Sequence, residues 1–317
     1  LGVGDDAAVV SCNNKKILLT TDTLAEGVHF NLMYTPLKHL GYKAIVSSLS
    51  DVYAMYGEPS QVLVSLAIPN KYSVEMIENI YEGIHLACNN YNVDLVGGDT
   101  TASPHSLVVT VTVIGSAQAK SITYRSGAQP NNLLVVSGNL GGAYLGLQVL
   151  EREKLLFQED NNLQPSLEKY TGILERQLKP EARGDIAKEL KKLNIKPTSM
   201  IDVSDGLSSE ISHLSKSSDI GFRIFEEKVP ISNESVTTAK ELNIDPLFCA
   251  LHGGEDYELL FTVPLGEHKK ITQIPNLTVI GHATNVGGDV EVLTKNNELM
   301  NLTQQSWDSF TSKSKNI

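Results

Sequence analysis

Residues 200–214 read MIDVSDGLSSEISHL. The apolar run at 200–203 predicts a strand, and the pattern at 207–214 predicts a helix. Between them lies DVSDG, a polar turn that carries two carboxylates. Strand, acidic turn and helix in direct succession point to a chain of mixed α and β structure. Asp202 and Asp205 stand three positions apart, with Ser204 between them. At the start of a helix this spacing can turn both carboxylates and the hydroxyl towards one ligand. The plainer reading is that Asp205 only caps the helix, but a cap does not require Asp202.

The same device recurs along the chain. GVGDD at 2–6, TTDT at 20–23, SLSD at 48–51, VGGDTT at 96–101 and GGEDYE at 253–258 are the other cases, most of them ending an apolar run. Asp and Gly are ordinary turn residues, and any one motif fits that account. Six fit it poorly. Carboxylates at several strand ends can converge on one spot, and hard oxygen donors suit Mg²⁺ with its waters and substrate phosphates. A Gly beside the Asp lets the backbone approach a bulky anion. Asp5 and Asp6 are neighbours, so in an extended segment only one of them should face a shared site.

Composition narrows the class. The chain has 317 residues, 41% hydrophobic and 20% charged, which suits an ordinary globular protein of two domains. No apolar run is long enough for a membrane span. The net charge of −11 argues against nucleic acid as a partner. It leaves nucleotides open, because divalent cations can stand between an acidic site and a polyphosphate. Cys12, Cys88 and Cys249 are widely separated and read as reduced thiols of a cytoplasmic protein. The opening LGVGDD is neither a signal nor a transit peptide and reads as the middle of a fold, so upstream residues are expected.

Strands are expected at 17–21, 62–68, 95–96, 107–114, 133–136, 200–203, 259–263 and 277–280. Helices are expected at about 40–55, 74–87, 143–154, 185–193 and 207–214. The architecture is therefore α/β or α+β. The turn-rich stretch 121–132 marks a boundary, giving domains at 1–125 and 126–317. The run at 107–114, apolar on both faces, is expected to be an exposed edge that pairs two copies.

No GxxxxGK[ST] occurs, and the protein-kinase signatures are absent. SGNLGGAYLG at 137–146 follows a strand and enters a helix, so it is either a phosphate-binding turn or a tight connection. His29 lies between apolar neighbours, Tyr81 in a helix, and Trp307 in a polar C-terminal stretch. Taken alone, His29 is more often a core or surface histidine and Tyr81 a packing residue, while Trp307 is either a packing anchor or a flat face for an aromatic ligand. Arg125, in the turn TYRSG, is either a solvated side chain or a bidentate partner for phosphate.

GVGDDAAVV, TTDTLAEGVHF, YKAIVSSLSDVYAMYGEP, VGGDTT, YRSGAQPNNLLVVSG, DVSDGLSSEISH and GGEDYELLFTVP occur in the order seen in the thiamine-monophosphate kinase family. The chain resembles that family from Gly2 to about Ile280, with a weaker echo near Trp307. The resemblance implies a two-domain fold similar to aminoimidazole ribonucleotide synthetase. In it an N-terminal domain dimerises and binds ATP and metal, while a C-terminal domain covers the nucleotide. It implies Mg²⁺-assisted, in-line transfer of the ATP γ-phosphoryl group to thiamine monophosphate, the final step in making thiamine diphosphate. Carried over by position, the metal ligands are Asp6, Thr20, Thr21, Asp22, Asp51, Asp99, Asp202 and Asp205. ATP contacts fall on Tyr81, Gly98, Asp99, Arg125 and Ser204. Substrate contacts fall on His29, Glu255 and Trp307. One departure is Ser309, where the family has a histidine near the C-terminal aromatic. Related enzymes that make selenophosphate or mature hydrogenases need a reactive Cys in places where this chain has none. A non-catalytic nucleotide-binding scaffold would have lost metal positions, and all eight are kept.

Overall fold

The computed structural model describes residues 4–12 and 15–302. The first half contains β1 (Ala8–Cys12), β2 (Lys15–Ala25), α1 (Leu37–Ala54), β3 (Glu58–Pro69), α2 (Val74–Tyr91), β4 (Asp94–Ser103) and β5 (Val108–Ala117). The second half continues with β6 (Leu133–Ser137), α3 (Gly142–Glu159), α4 (Thr171–Leu178), α5 (Gly184–Lys192), β7 (Ser199–Val203) and α6 (Leu207–Ser218). It ends with β8 (Ile220–Phe225), α7 (Asn233–Glu241), α8 (Pro246–His252), β9 (Glu258–Val263), α9 (His268–Ile271), β10 (Leu277–Val286), β11 (Val290–Leu293) and β12 (Leu299–Asn301). Two sheets result, ordered β1-β2-β5-β3-β4 and β12-β11-β8-β10-β6-β9-β7. None of the helices among the described residues is long and apolar enough to cross a membrane.

α1 is the hub. Its residues from Leu40 to Ala54 are buried almost without break. A helix that is apolar nearly all round belongs in the interior. Gly41 and Gly83 let it cross α2 closely: a Cβ on Gly41 would lie 2.0 Å from the Ile80 carbonyl oxygen, and one on Gly83 1.8 Å from that of Lys38. In β6, β7 and β9 the second sheet is buried on both faces by alternation. Leu133, Val135, Met200, Leu259 and Phe261 join the core that contains α1, whereas Leu134, Val136, Ile201, Val203 and Leu260 join a second core with α6 and α8. The two halves thus share one apolar layer. Truncating a residue in it, such as Phe261 to Ala, would cost about 3–5 kcal/mol.

All eight expected strand segments and all five helices overlap elements of their type, with 107–114, 40–55 and 185–193 each running one residue past an observed end. The expected edge does not exist. β5 pairs with β2 on one side and β3 on the other, so it is central. Val109, Val111 and Val113 are buried, while Thr110 and Thr112 point to the other face. The edges are β1 and β4 instead, and β4 extends through Gly97, Gly98 and Asp99, which are poor strand formers held by pairing with β3.

Candidate active site

Three strands and one helix deliver the acidic motifs to one place. Asp6 lies just before β1, Thr20 and Asp22 on β2, Asp51 in the last turn of α1, and Asp202 on β7. Asp6, Asp51 and Asp202 each present an oxygen within 4.8 Å of the others. Hydroxyls hold the carboxylates in position. Thr20 Oγ1 donates to Asp51 Oδ2 at 2.5 Å, and Ser50 Oγ to Asp202 Oδ2 at 2.7 Å. Ser48 hydrogen-bonds Asp22. Sequence reasoning missed Ser48 and Ser50, although hydroxyls inside an otherwise apolar helix are the available signal.

The electrostatics are unbalanced. Arg125 forks onto Asp6, with Nη2 at 2.9 Å from Oδ1 and Nε at 3.3 Å from Oδ2. No other salt bridge reaches Asp6, Asp22, Asp51 or Asp202 among the described residues. Burial, and then the nearby Asp6, push the Asp202 carboxyl up to about 8. Burial raises Asp51 well above the usual range, with Asp202, Asp22 and Asp6 adding repulsion. Such a set is costly as bare anions and becomes stable with cations among them. The donors are hard oxygens, the type that Mg²⁺ takes.

This cluster closes one end of a cavity of about 760 Å³, to which Asp22, Asp51, Asp202, Ser204 and Asp205 contribute. The GGED turn forms the adjoining wall. Gly254 packs so closely that a Cβ would lie 2.4 Å from the Ser204 carbonyl oxygen. Glu255 is held at φ +66°, a left-handed conformation rare for this residue. Its carboxylate accepts from buried Lys43 at 2.9 Å and from Gln177 Nε2 at 2.8 Å. His29 lines the cavity from the other side, its Nδ1 accepting from the Ala25 N–H at 3.1 Å. Glu210, another residue absent from the sequence reading, is buried behind Asp205 and accepts its N–H at 2.9 Å.

Other expected residues lie elsewhere. The Thr21 hydroxyl bonds to the Val111 carbonyl oxygen and to Thr112, on the sheet face opposite Thr20. Thr23, Thr110, Ser65 and Asp99 form one cross-strand row. Three strand spacings therefore separate Asp99 from β2, about 14 Å. Asp99, Gly98 and Tyr81 instead line a separate open pocket at the β4 edge. Asp5 turns from the cluster and accepts the Arg125 N–H at 2.7 Å. Trp307 lies outside the described residues. The turn before α3 is not a free anion site. Asp256 already occupies it, accepting from the N–H groups of Gly141 at 2.6 Å and Ala143 at 3.3 Å.

Known proteins resemble this chain over most of its length. Residues 4–117 match the family model described as AIR synthase related protein, N-terminal domain. The chain is 33% identical to the thiamine-monophosphate kinase of Bacillus subtilis, over 98% of this chain and 93% of that one. It is 37% identical to that of Aquifex aeolicus, over 83% and 80% respectively. A solved structure described as AaThiL complexed with AMPPCP and TMP superposes with a TM-score of 0.82 at 33% identity, over 96% of this chain and 91% of that one. Hydrogenase maturation proteins superpose at only 14–17% identity, which speaks for the fold alone. A carboxylate cluster at the end of a two-sheet cavity, with relatives of this identity and coverage, leaves one assignment: the chain belongs to the thiamine-monophosphate kinase family.

Proposed function

We propose that this protein transfers the γ-phosphoryl group of ATP to thiamine monophosphate, giving thiamine diphosphate and ADP. The observation that carries the reading is the convergence of Asp6, Asp51 and Asp202, of which Asp51 and Asp202 line the cavity. The nucleophile is a phosphate oxygen that is already ionised at neutral pH, so no general base is required. The work left to the protein is in-line alignment and charge neutralisation. Asp6, Asp51 and Asp202, with Asp22 and Asp205 nearby, would hold Mg²⁺. Bound there, the ions would screen the two phosphates from each other and draw charge from the transferring group. Arg125 fixes Asp6 and adds a permanent cation beside it. Ser204 would contact the phosphate chain. His29, Glu255 and Trp307 would serve the thiamine end.

We read the chain as a cytoplasmic homodimer with domains at 1–125 and 126–317. Tyr81, Gly98 and Asp99 are too far along the sheet to serve the Asp51 cluster of their own chain. A partner's β4 edge set against the cavity would supply them for ATP and metal. Light scattering at micromolar concentration should give twice the chain mass, and a monomer mass would refute this arrangement. The reaction itself is tested by coupled ADP release with thiamine monophosphate, thiamine or aminoimidazole ribonucleotide precursors as acceptor. Turnover should require thiamine monophosphate and Mg²⁺. Equal rates with unphosphorylated thiamine would overturn the reading.

A further inference from the structure

We propose that Glu151 recognises the aminopyrimidine ring of the acceptor and sets the preference for thiamine monophosphate over analogues without the ring amine; the inference rests on the kinase reading above. α3 runs along one wall of the cavity. Tyr144, Leu147, Gln148, Glu151 and Lys154 line it at the three- and four-residue spacing of a single helix face. The helix acts as a ruler with a fixed origin. A Cβ on Gly253 would lie 2.5 Å from the Tyr144 Cβ, and Gly254 packs on Ser204, so Tyr144 stands beside the phosphate end. Glu151 comes seven residues later, about 10 Å along the axis. Extended thiamine monophosphate has the same order of parts: phosphate, thiazolium, then aminopyrimidine. The intervening wall offers Leu147, with Phe30 on the facing loop, which suits flat apolar rings.

At the far end the Glu151 carboxylate is clamped from both halves of the molecule. The Tyr34 hydroxyl, from the segment before α1, donates to Oε1 at 2.7 Å. Lys154 Nζ, one turn further along α3, donates to Oε2 at 2.6 Å. Burial, and then the Glu151 carboxylate, hold the Tyr34 hydroxyl protonated far above its ordinary range, so it remains a donor. An ionised carboxylate has about four lone-pair sites, and an incoming donor can take one of them. The exocyclic amine of the pyrimidine is a donor and satisfies one. An oxo group at that position would set lone pairs against lone pairs, and the Glu151 carboxylate, 37% exposed, would be covered by the ring with no donor facing it.

The test compares thiamine monophosphate with oxythiamine monophosphate, in which an oxo group replaces the amine. The intact enzyme, with Mg²⁺ and ATP, should favour thiamine monophosphate by about 100-fold or more in kcat/KM. In Glu151→Gln the amide can donate to the oxo group. The preference should shrink about tenfold, through KM for the acceptor and with KM for ATP unmoved. Tyr34→Phe keeps the carboxylate but removes one clamp, and should shift the preference the same way by less. An unchanged preference in Glu151→Gln, in an enzyme that still turns over thiamine monophosphate, overturns the assignment of Glu151 alone. A wild-type protein inert towards thiamine monophosphate overturns the kinase reading and this inference with it.

Discussion

Two sets of buried carboxylates stand at the junction of the halves, and they are treated in opposite ways. Asp256 and Glu258 are saturated with donors. Asp256 accepts two helix N-terminal N–H groups and pairs with Arg176 at 3.3 Å. Glu258 accepts the Ser137 hydroxyl at 2.5 Å and Arg183 Nη1 at 2.6 Å. Asp51, half-buried where it lines the cavity, has the Thr20 hydroxyl and three carboxylate neighbours. The first set is wired to hold α3, α4 and β9 together. The second is left short of positive charge, and a protein that leaves such a deficit needs a cationic ligand to complete it.

The sharpest way to break this comparison is to neutralise one carboxylate of the deficient set. Asp51→Asn should lower kcat about 1000-fold, the loss of roughly 4 kcal/mol of metal-mediated charge stabilisation. Its thermal melt without metal should stay level or rise, because a repulsive charge has gone. Near-normal turnover in this variant would remove Asp51 from the site. The saturated set should answer in reverse. Arg183→Met removes one partner of buried Glu258 while Arg176 at 3.3 Å remains, and should cost about 1–3 kcal/mol of stability, read by chemical denaturation. A loss of activity with no loss of stability would contradict the structural role.

The pH response separates the two sets again. The folded-state value of Asp202 is raised to about 8 from an ordinary 3.8. A raised carboxyl binds its proton more tightly in the folded protein than in the unfolded chain. Its contribution to stability is therefore present below pH 3.8 and lost as pH climbs through about 8. In chelator, the melting temperature should fall between pH 5 and about pH 8, and Asp202→Asn should flatten that slope. Added Mg²⁺ should restore stability at the alkaline end by replacing the lost protons. A metal-free melting temperature that rises across this window would show that the charge deficit is not real.

The sequence exposed most of this design, for a physical reason. Period and β-branching mark elements that bury one or two faces, so β3, β7, β9 and α2 were legible. β1 and β8 interrupt their apolar residues with Ser, Gly or Arg, β11 has only four residues, and β4 is rich in Gly and Thr; sheet pairing stabilises them more than propensity does. The acidic motifs were legible as a set because Asp beside Gly at the end of an apolar run has few structural uses. What the sequence withheld was their distribution. Strand alternation sends Thr20 and Asp22 to one face and Thr21 to the other, and sheet order decides that Asp99 stands three strands away. Sheet order is a long-range property, and no local pattern encodes it. Nor could the chain reveal that Asp256, 115 residues beyond Gly141, would fill the turn before α3.

The finest test of the comparison uses adjacent threonines. Thr20 and Thr21 share chemistry, strand and sequence context, and differ only in the face they present. Thr20 donates to Asp51, and a hydrogen bond to a charged group is worth about 1.5–3 kcal/mol. Thr20→Val keeps the shape and removes the donor, so kcat/KM should fall about 10- to 100-fold. Thr21→Val removes a hydroxyl that bonds only to Val111 and Thr112 on the outer face, an exposed position. Its effect on kcat/KM should stay within about twofold, as for surface substitutions generally. Equal losses in the two variants would mean that the hydroxyls act through the strand and not through Asp51. A loss confined to Thr21→Val would place the reacting groups on the face where Asp99 lies, and would reverse the assignment of the deficient cluster as the phosphate end.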